Sequence, residues 1–293
     1  MIITSCGNSQ YLAKKLAKKL HVQYSPLLVA AFPDGEAYLK FDTNLKGKKL
    51  VIVQSFQPHP DMSLFDIIFA AEAAKDLGAR KVILVAPYLG YMRQDKRFNP
   101  GECVSSKVMA KLLNNCVDKL ITIDPHIHRY KSLRDIFTIP TVKLTANFVL
   151  AEYIKKHYRN EIIIGPDWES HQWAEDIARK IHVSATVLKK TRLSSREVQV
   201  KMTLPLEMKN KDVVIVDDII STGHTIAEAA KQAHKLGAKN ITAIAVHGLL
   251  VENALKTMKK AGVRKVLTTN CIDNLTSKID VTPILLDALR KEK

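Results

Sequence analysis

The densest concentration of possible chemistry in the sequence is an apolar run, Val213-Val214-Ile215-Val216, that leads directly into two adjacent carboxylates, Asp217 and Asp218. After two isoleucines the chain reads Ser221-Thr222-Gly223-His224-Thr225, and a helical pattern opens near Ile226. The first amides of a helix have no partner within it, and the dipole is positive there, so such a turn stabilises a phosphate. Ser221, Thr222 and Thr225 add hydroxyl donors, and Gly223 lets the backbone approach closely. Asp217 and Asp218 repel phosphate. Their chemistry is to accept hydrogen bonds from sugar hydroxyls or to hold a hard divalent cation through water. An ordinary Ser/Thr helix cap accounts for the hydroxyls but not for four apolar residues running into Asp-Asp.

Five further segments carry reactive types. Phe32-Pro33-Asp34-Gly35-Glu36 contains a turn signal. Tyr91-Met92-Arg93-Gln94-Asp95 follows an apolar run, Asp124-Pro125-His126 follows another, and Gly165-Pro166-Asp167 a third. Lys189-Lys190-Thr191-Arg192 precedes two serines and Arg196. Taken singly, each has a plain reading: a turn, a solvated loop, a structural histidine at a strand end, the tip of a basic hairpin.

The elements that must position these groups are short Val/Ile-rich runs at 50–53, 81–86, 119–123, 162–164, 213–216, 241–246 and 265–268, each followed by a helical pattern. Continuous apolar runs alternating with amphipathic helices predict buried parallel strands with crossover helices, an α/β class. The segments starting at Val51 and Val214 share the order strand, loop, helix, Leu-Gly-Ala, basic residue, strand. Ala71, Ala74, Leu77, Gly78 and Ala79 answer Ala230, Ala233, Leu236, Gly237 and Ala238. This weak repeat predicts a duplicated chain whose halves meet near Pro140 and Thr141, giving domains 1–143 and 144–293. The chain's 293 residues suit two domains.

With 46% hydrophobic and 25% charged residues, collagen-like, low-complexity and disordered classes are excluded. A formal charge of +16 leaves nucleic acid, a membrane surface or small polyanions as partners. Four dispersed cysteines with no CxxC pair argue for a reducing compartment. The N-terminus lacks a secretory pattern, and no apolar stretch reaches the length of a membrane span. The expected location is the cytoplasm.

The segment 213–226 resembles the phosphoribosyl diphosphate loop of the type I phosphoribosyltransferase fold. The segments at 32–36, 91–95, 124–126 and 189–192 resemble, in order along nearly the whole chain, the motifs of the ribose-phosphate diphosphokinases. Ser-Thr-Gly at 221–223 and the Asp-x-Glu-Ser-x-Gln-Trp run at 167–173 are most similar to the archaeal-type subgroup, although His224 stands where a glycine is usual. The resemblance implies two similar domains, each a largely parallel sheet flanked by helices, with ATP-binding elements in the first and the ribose-phosphate and catalytic loops in the second. It implies that Mg2+-dependent transfer of a diphosphoryl group from ATP to ribose 5-phosphate is the reaction.

On that resemblance Lys190 and Arg192 are catalytic, Lys190 being preferred to Lys189 because it stands two residues before Arg192. Phe32, Asp34, Gly35, Glu36, Arg93, Gln94 and Asp95 contact ATP. Arg192, Asp217, Asp218, Ser221, Thr222, Gly223, His224 and Thr225 hold ribose 5-phosphate, and His126 and Asp167 hold the metal. A homo-oligomer, at least a dimer, is expected, with no nucleic-acid or membrane partner. A base-specific phosphoribosyltransferase would need only the loop at 213–226, and a catalytically silent homologue would be expected to have lost the Lys-x-Arg or metal elements.

Overall fold

The computed structural model describes residues 1–158, 161–167, 170–192, 198–202 and 207–293. The chain divides into two compact units. The first comprises Met1–Thr145, Cys271–Asp273 and Val281–Lys293, and the second Ala146–Asn270 and Asn274–Asp280.

In the first unit the elements are β1 (Ile2–Thr4), α1 (Gln10–Leu20), β2 (Gln23–Tyr24), β3 (Leu27–Ala31), β4 (Ala37–Phe41), β5 (Lys49–Val53), α2 (Pro60–Asp76), β6 (Lys81–Ala86), α3 (Ser105–Cys116), β7 (Lys119–Ile123) and β8 (Thr141–Leu144). Six of the strands form a wholly parallel sheet in the order β2-β1-β5-β6-β7-β8. The apolar runs are apolar throughout because both sheet faces are covered: Leu50, Val51, Ile52 and Val53 are fully buried, as are Val82 to Ala86. Strands β3 and β4 pair only with each other, as an antiparallel hairpin.

The second unit contains α4 (Asn147–His157), β9 (Ile162–Gly165), α5 (His171–Ile181), β10 (Ala185–Arg192), β11 (Val198–Met202), β12 (Asp212–Ile220), α6 (His224–Lys235), β13 (Asn240–Gly248), α7 (Ala254–Lys260), β14 (Val263–Thr269) and β15 (Ser277–Ile279). Its sheet runs β11-β10-β9-β12-β13-β14-β15, parallel except for the β10–β11 hairpin. Removing that hairpin partner leaves the strand order of the first sheet, with β9 answering β1, β12 answering β5 and β13 answering β6. The repeat in the sequence is therefore a repeat of topology. Among the described residues no helix is long and apolar enough to cross a membrane.

The division corrects the expected domain 144–293 at its far end. The closing helix α8 (Thr282–Arg290) packs on α1 and β8 of the first unit. Its apolar stripe, Leu285, Leu286 and Leu289, is buried with that unit, where α1 offers Leu12, Leu16 and Leu20. Helix α4, which follows the last strand of the first sheet, makes the equivalent contacts with α5 and β15 of the second. Helices α4 and α8 thus hold equivalent places in the two units, but α8 reaches its place from the far end of the second half.

Beyond α8 the chain is clamped. Lys49, Lys81 and Lys119 are the first residues of three neighbouring strands. Lys81 Nζ lies 3.1 Å from the Glu292 carboxylate, Lys119 Nζ pairs with its other oxygen, and Lys49 Nζ donates to the Glu292 carbonyl. Burial pushes the Glu292 carboxyl up, but hydrogen bonds from Lys119 and Lys81 outweigh it and hold the group below its ordinary 4.5. Glu292→Gln is therefore expected to cost about 1–2 kcal/mol at neutral pH, read as a lower thermal midpoint. A carboxyl depressed in the folded state stabilises above its unfolded pKa and loses that effect as the pH falls through the folded value. The melting curves of the two proteins should converge in acid, and equal midpoints at pH 7 would dismiss the clamp.

Candidate active site

Strand β12 does not end at the carboxylates, as its apolar run suggested. It continues through Asp217 and Asp218 to Ile220, because β13 extends beside it: Asp217 pairs with Ala245, Ile219 with His247 and Ile220 with Gly248. The turn after Ile220 is short, and α6 starts at His224, two residues before the expected Ile226. Gly223 is its N-cap at φ +77°, and a Cβ there would stand 3.0 Å from Met258 Cγ and 3.1 Å from the Ala254 carbonyl oxygen. Conformation and space both require glycine. A glycine cap brings no side-chain acceptor to the first-turn amides, and that turn contains no acid. Ser221 and Thr222 are partly buried, whereas His224 and Thr225 are exposed. The Ser221 carbonyl accepts from Val251 N at 3.2 Å, tying the turn to the segment before α7. The arrangement suits an anion seated on backbone amides with hydroxyls around it.

Asp167 is held beside the strand end by Ser170. Its Oδ1 accepts from Ser170 N and from Ser170 Oγ, each at 3.1 Å, and Ser170 Oγ also donates to the Asp167 carbonyl at 2.9 Å. A Cβ on Gly165 would lie 3.1 Å from Ser170 Oγ and 3.2 Å from Val187 Cγ2, so a larger residue would crowd this turn and the Ser170 hydroxyl that holds Asp167. Parallel pairing of β9 with β12, Ile164 opposite Ile215, brings Asp167 towards the Asp pair. The Asp217 carboxyl is pushed well above its ordinary 3.8, first by burial and then by the charges of Asp218 and Asp167. Asp218 N donates to Asp217 Oδ1 at 3.0 Å and offsets part of this. A divalent cation would relieve the same crowding, so hard oxygen donors held together against their mutual repulsion fit a magnesium ion.

In the first unit, Phe32 to Glu36 cap the β3–β4 hairpin. Phe32 N donates to the Glu36 carbonyl at 2.8 Å, Gly35 takes φ +93°, and Asp34 Oδ1 accepts from Glu36 N at 3.1 Å. The Phe32 and Tyr38 rings meet edge to face, 5.4 Å apart. Arg93 is exposed. The two residues that follow it are engaged within the unit, and of these Asp95 departs from the expectation that it faces a ligand. Gln94 serves the start of α3, with its Oε1 accepting from Ser105 Oγ at 2.9 Å. The Asp95 side chain is fully buried and bonded to Arg129. His126 Nδ1 lies 3.1 Å from His128 Nε2, with the rings edge to face.

Arg129, Tyr130 and Ser106, which organise these loops, carry no local signal of that role in the sequence. His128 was visible in Asp-Pro-His-Ile-His. Lys190 and Arg192 lie in β10, with Lys190 opposite Val200 and Arg192 opposite Val198 of β11. Their side chains, Trp168, Glu169 and the residues 193–197 lie outside the described part of the structure. On the second unit Asp167 stands with Asp217 and Asp218, and on the first the loops of Arg93 and His126 are joined through Asp95 and Arg129.

The model of the N-terminal domain of ribose phosphate pyrophosphokinase matches residues 1–116, and that of the phosphoribosyl transferase domain matches residues 132–282. The ribose-phosphate pyrophosphokinase of Methanothermobacter thermautotrophicus is 36% identical over 290 residues, covering 99% of this chain and 100% of that one. That of Sulfolobus acidocaldarius is 33% identical, with 99% and 100% covered. The crystal structure of phosphoribosylpyrophosphate synthetase from Mycobacterium smegmatis superposes with a TM-score of 0.87 at 26% identity, covering 99% of this chain and 98% of that one.

The state of Asp217 can be read from stability. A carboxyl whose pKa is raised by folding stabilises the fold while protonated, fully so below 3.8, and loses that effect as the pH rises through the folded value. Without divalent cation, Asp217→Asn should therefore melt higher than wild type, by a margin that widens with pH and narrows when Mg2+ is added. A variant no more stable than wild type at pH 8 would refute the crowding.

Proposed function

The chain belongs to the ribose-phosphate pyrophosphokinase family, and from that membership we propose the roles of its individual residues in making 5-phosphoribosyl 1-diphosphate. The second unit takes ribose 5-phosphate. Its phosphate sits on the turn Ser221-Thr222-Gly223-His224-Thr225, and Asp217 and Asp218 accept hydrogen bonds from the ribose hydroxyls. The observation that carries this assignment is the first turn of α6, capped by Gly223 and free of acidic side chains. His224 takes the first helical position with its side chain exposed, so a side chain there leaves the amides approachable.

The first unit takes ATP through Arg93 and Gln94 and through the hairpin tip of Phe32, Asp34, Gly35 and Glu36. The anomeric hydroxyl of the sugar attacks the β-phosphorus of ATP in line, and AMP leaves. Such a transfer has a loose transition state with charge on the equatorial oxygens, so the protein contributes positioning and cationic groups rather than a covalent intermediate. Lys190 and Arg192 supply that charge, Arg192 also reaching the sugar phosphate. An arginine grips two phosphate oxygens at once, whereas a lysine acts as a point charge. The family is generally Mg2+-dependent, and Asp167 and His126 are the proposed ligands, His126 through water because imidazole is an unusual partner for so hard a cation. When bound, Mg2+ neutralises phosphate charge.

We assign the protein to the cytoplasm, a reading supported by four free cysteines, three of them buried. It acts as a homo-oligomer, at least a dimer. Support comes from α2, which has large apolar side chains on its outer side as well as its inner one: Leu64, Ile67, Ala70, Ala71 and Ala74 are buried, while Met62, Phe65 and Phe69 are exposed. A helix apolar on both sides is made to be covered on both. Beside it α3 exposes Val108 and Leu112, each preceded by an exposed lysine, Lys107 and Lys111, whereas α2 exposes Asp61 and Glu72. A two-fold axis that sets α2 on the α3 of a second copy matches apolar with apolar and acid with base.

Incubation with Mg-ATP and ribose 5-phosphate should yield AMP and 5-phosphoribosyl 1-diphosphate, and no AMP at high enzyme concentration would overturn the function. Lys190→Ala should lower kcat by about 10²–10³ with an unchanged thermal midpoint, and wild-type turnover would remove Lys190 from catalysis. Phe65→Glu with Phe69→Glu should convert the oligomer to monomers in light scattering, and an unaltered mass would exclude this face.

A further inference from the structure

Strands β6 and β7 pair as far as Ala86 and Thr122. Beyond that point the sheet no longer joins the loops that follow them, one carrying Arg93 and Gln94, the other His126 and His128. What joins them is an ion pair between a buried carboxylate, Asp95, and a partly exposed guanidinium, Arg129. The Asp95 side chain has no exposed surface, and Arg129 Nη1 donates to both of its oxygens, at 3.0 Å and 3.3 Å. The Arg129 guanidinium also lies over the Phe98 ring, 5.1 Å from its centroid. Tyr130 Oη donates to the Asp95 carbonyl at 3.1 Å and lies 2.8 Å from Ser106 Oγ, which in turn donates to the Gln94 carbonyl at 3.2 Å. The backbone of Gln94 and Asp95 is therefore fastened on one side to the first turn of α3 and on the other to the loop that carries His126.

We propose that Asp95 and Arg129 are a positioning pair for the reaction, holding the Arg93–Gln94 loop and the His126 loop in one fixed relation while touching neither substrate. The inference rests on the reading of those two loops as the ATP and metal elements. Three observations favour positioning over simple stabilisation. The Asp95 carboxylate is wholly buried and its charge is met by Arg129, so the loop that carries it is held to the arrangement that keeps the two in contact. Both partners stand at irregular segments with no sheet hydrogen bonds to fix them. The contacts converge on the two residues that follow Arg93, and a shift of about 1 Å in such a segment can cost about 10²-fold in rate.

The test is steady-state kinetics of the full chain with each substrate varied in turn, preceded by thermal melts. Asp95→Asn and Arg129→Met should each raise KM for ATP and lower kcat, by about 10–100-fold in kcat/KM, and should raise the Mg2+ concentration at half-maximal rate. KM for ribose 5-phosphate should stay at its wild-type value. The double variant should be no worse than either single one, since the two act as a unit. Arg129→Lys keeps the charge and should recover most of the loss. If Arg129→Met does not fold, Tyr130→Phe, which removes only one hydroxyl, should show a smaller change in the same direction.

Wild-type KM for ATP and kcat in these variants would overturn the proposal. Equal losses towards both substrates would also overturn it, by showing a general structural role. Arg93→Ala separates this failure from that of the underlying reading. If ATP binding by calorimetry weakens in Arg93→Ala but not in Asp95→Asn, the pair alone is refuted. If Arg93→Ala binds ATP as wild type does, the assignment of the loop falls, and the pair with it.

Discussion

Burial of a parallel sheet on both faces is the constraint from which the rest of each unit follows. Strands covered on both sides must be apolar along their length, so charged residues are driven to the ends, and parallel pairing gives those ends a common direction. At the carboxyl ends of the strands stand Asp167, Asp217–Asp218 and the loops bearing Arg93 and His126. At the amino ends stand Lys49, Lys81 and Lys119, whose charge is taken up by Glu292. The sheet thus separates residues that must meet ligands from residues that hold the fold, an outcome expected of open parallel sheets, whose ligands gather outside the carboxyl ends. Crowding of like charge around Asp217 is a direct result, because adjacent strands deliver their polar ends to the same place.

The duplication shows how one half became available for a different task. In the second unit the turn after β12 is short and capped by a glycine. The turn after β5 is longer, and its polar groups are spent internally. Ser55 N donates to Ser9 Oγ at 2.9 Å, Ser55 Oγ accepts from Tyr88 N at 3.2 Å and donates to the Cys271 carbonyl, and Gln54 and Ser55 are both almost wholly buried. The frame has been kept, but the anion seat has been filled with side chains.

Much of this was legible in the sequence for physical reasons. Buried strands read as Val/Ile runs, a phosphate turn reads as small hydroxylated residues around a glycine, and two halves with one topology repeat their Ala and Gly packing positions. The misses share a different cause. The extension of β12 to Ile220 depends on where β13 ends, the use of Asp95 depends on Arg129 in another loop, and the docking of α8 depends on an apolar stripe near the opposite terminus. Local spacing shows that a helix has an apolar face or that a carboxylate is present, but not which distant partner satisfies it. The β3–β4 hairpin escaped notice because its strands are mostly exposed and so lack the apolar signature.

The place of α8 also bears on how the protein is made. Domains generally fold as they leave the ribosome, N-terminal first. Here the apolar stripe of α1 is covered by a helix that follows the whole second unit in the chain. The earlier unit therefore waits through translation of the whole later unit before it can close. A chain that stops before α8 therefore has a nearly complete second unit and an open first one. Closure of the first unit is thereby coupled to translation of α8, and chains that stop short of it expose the apolar stripe of α1.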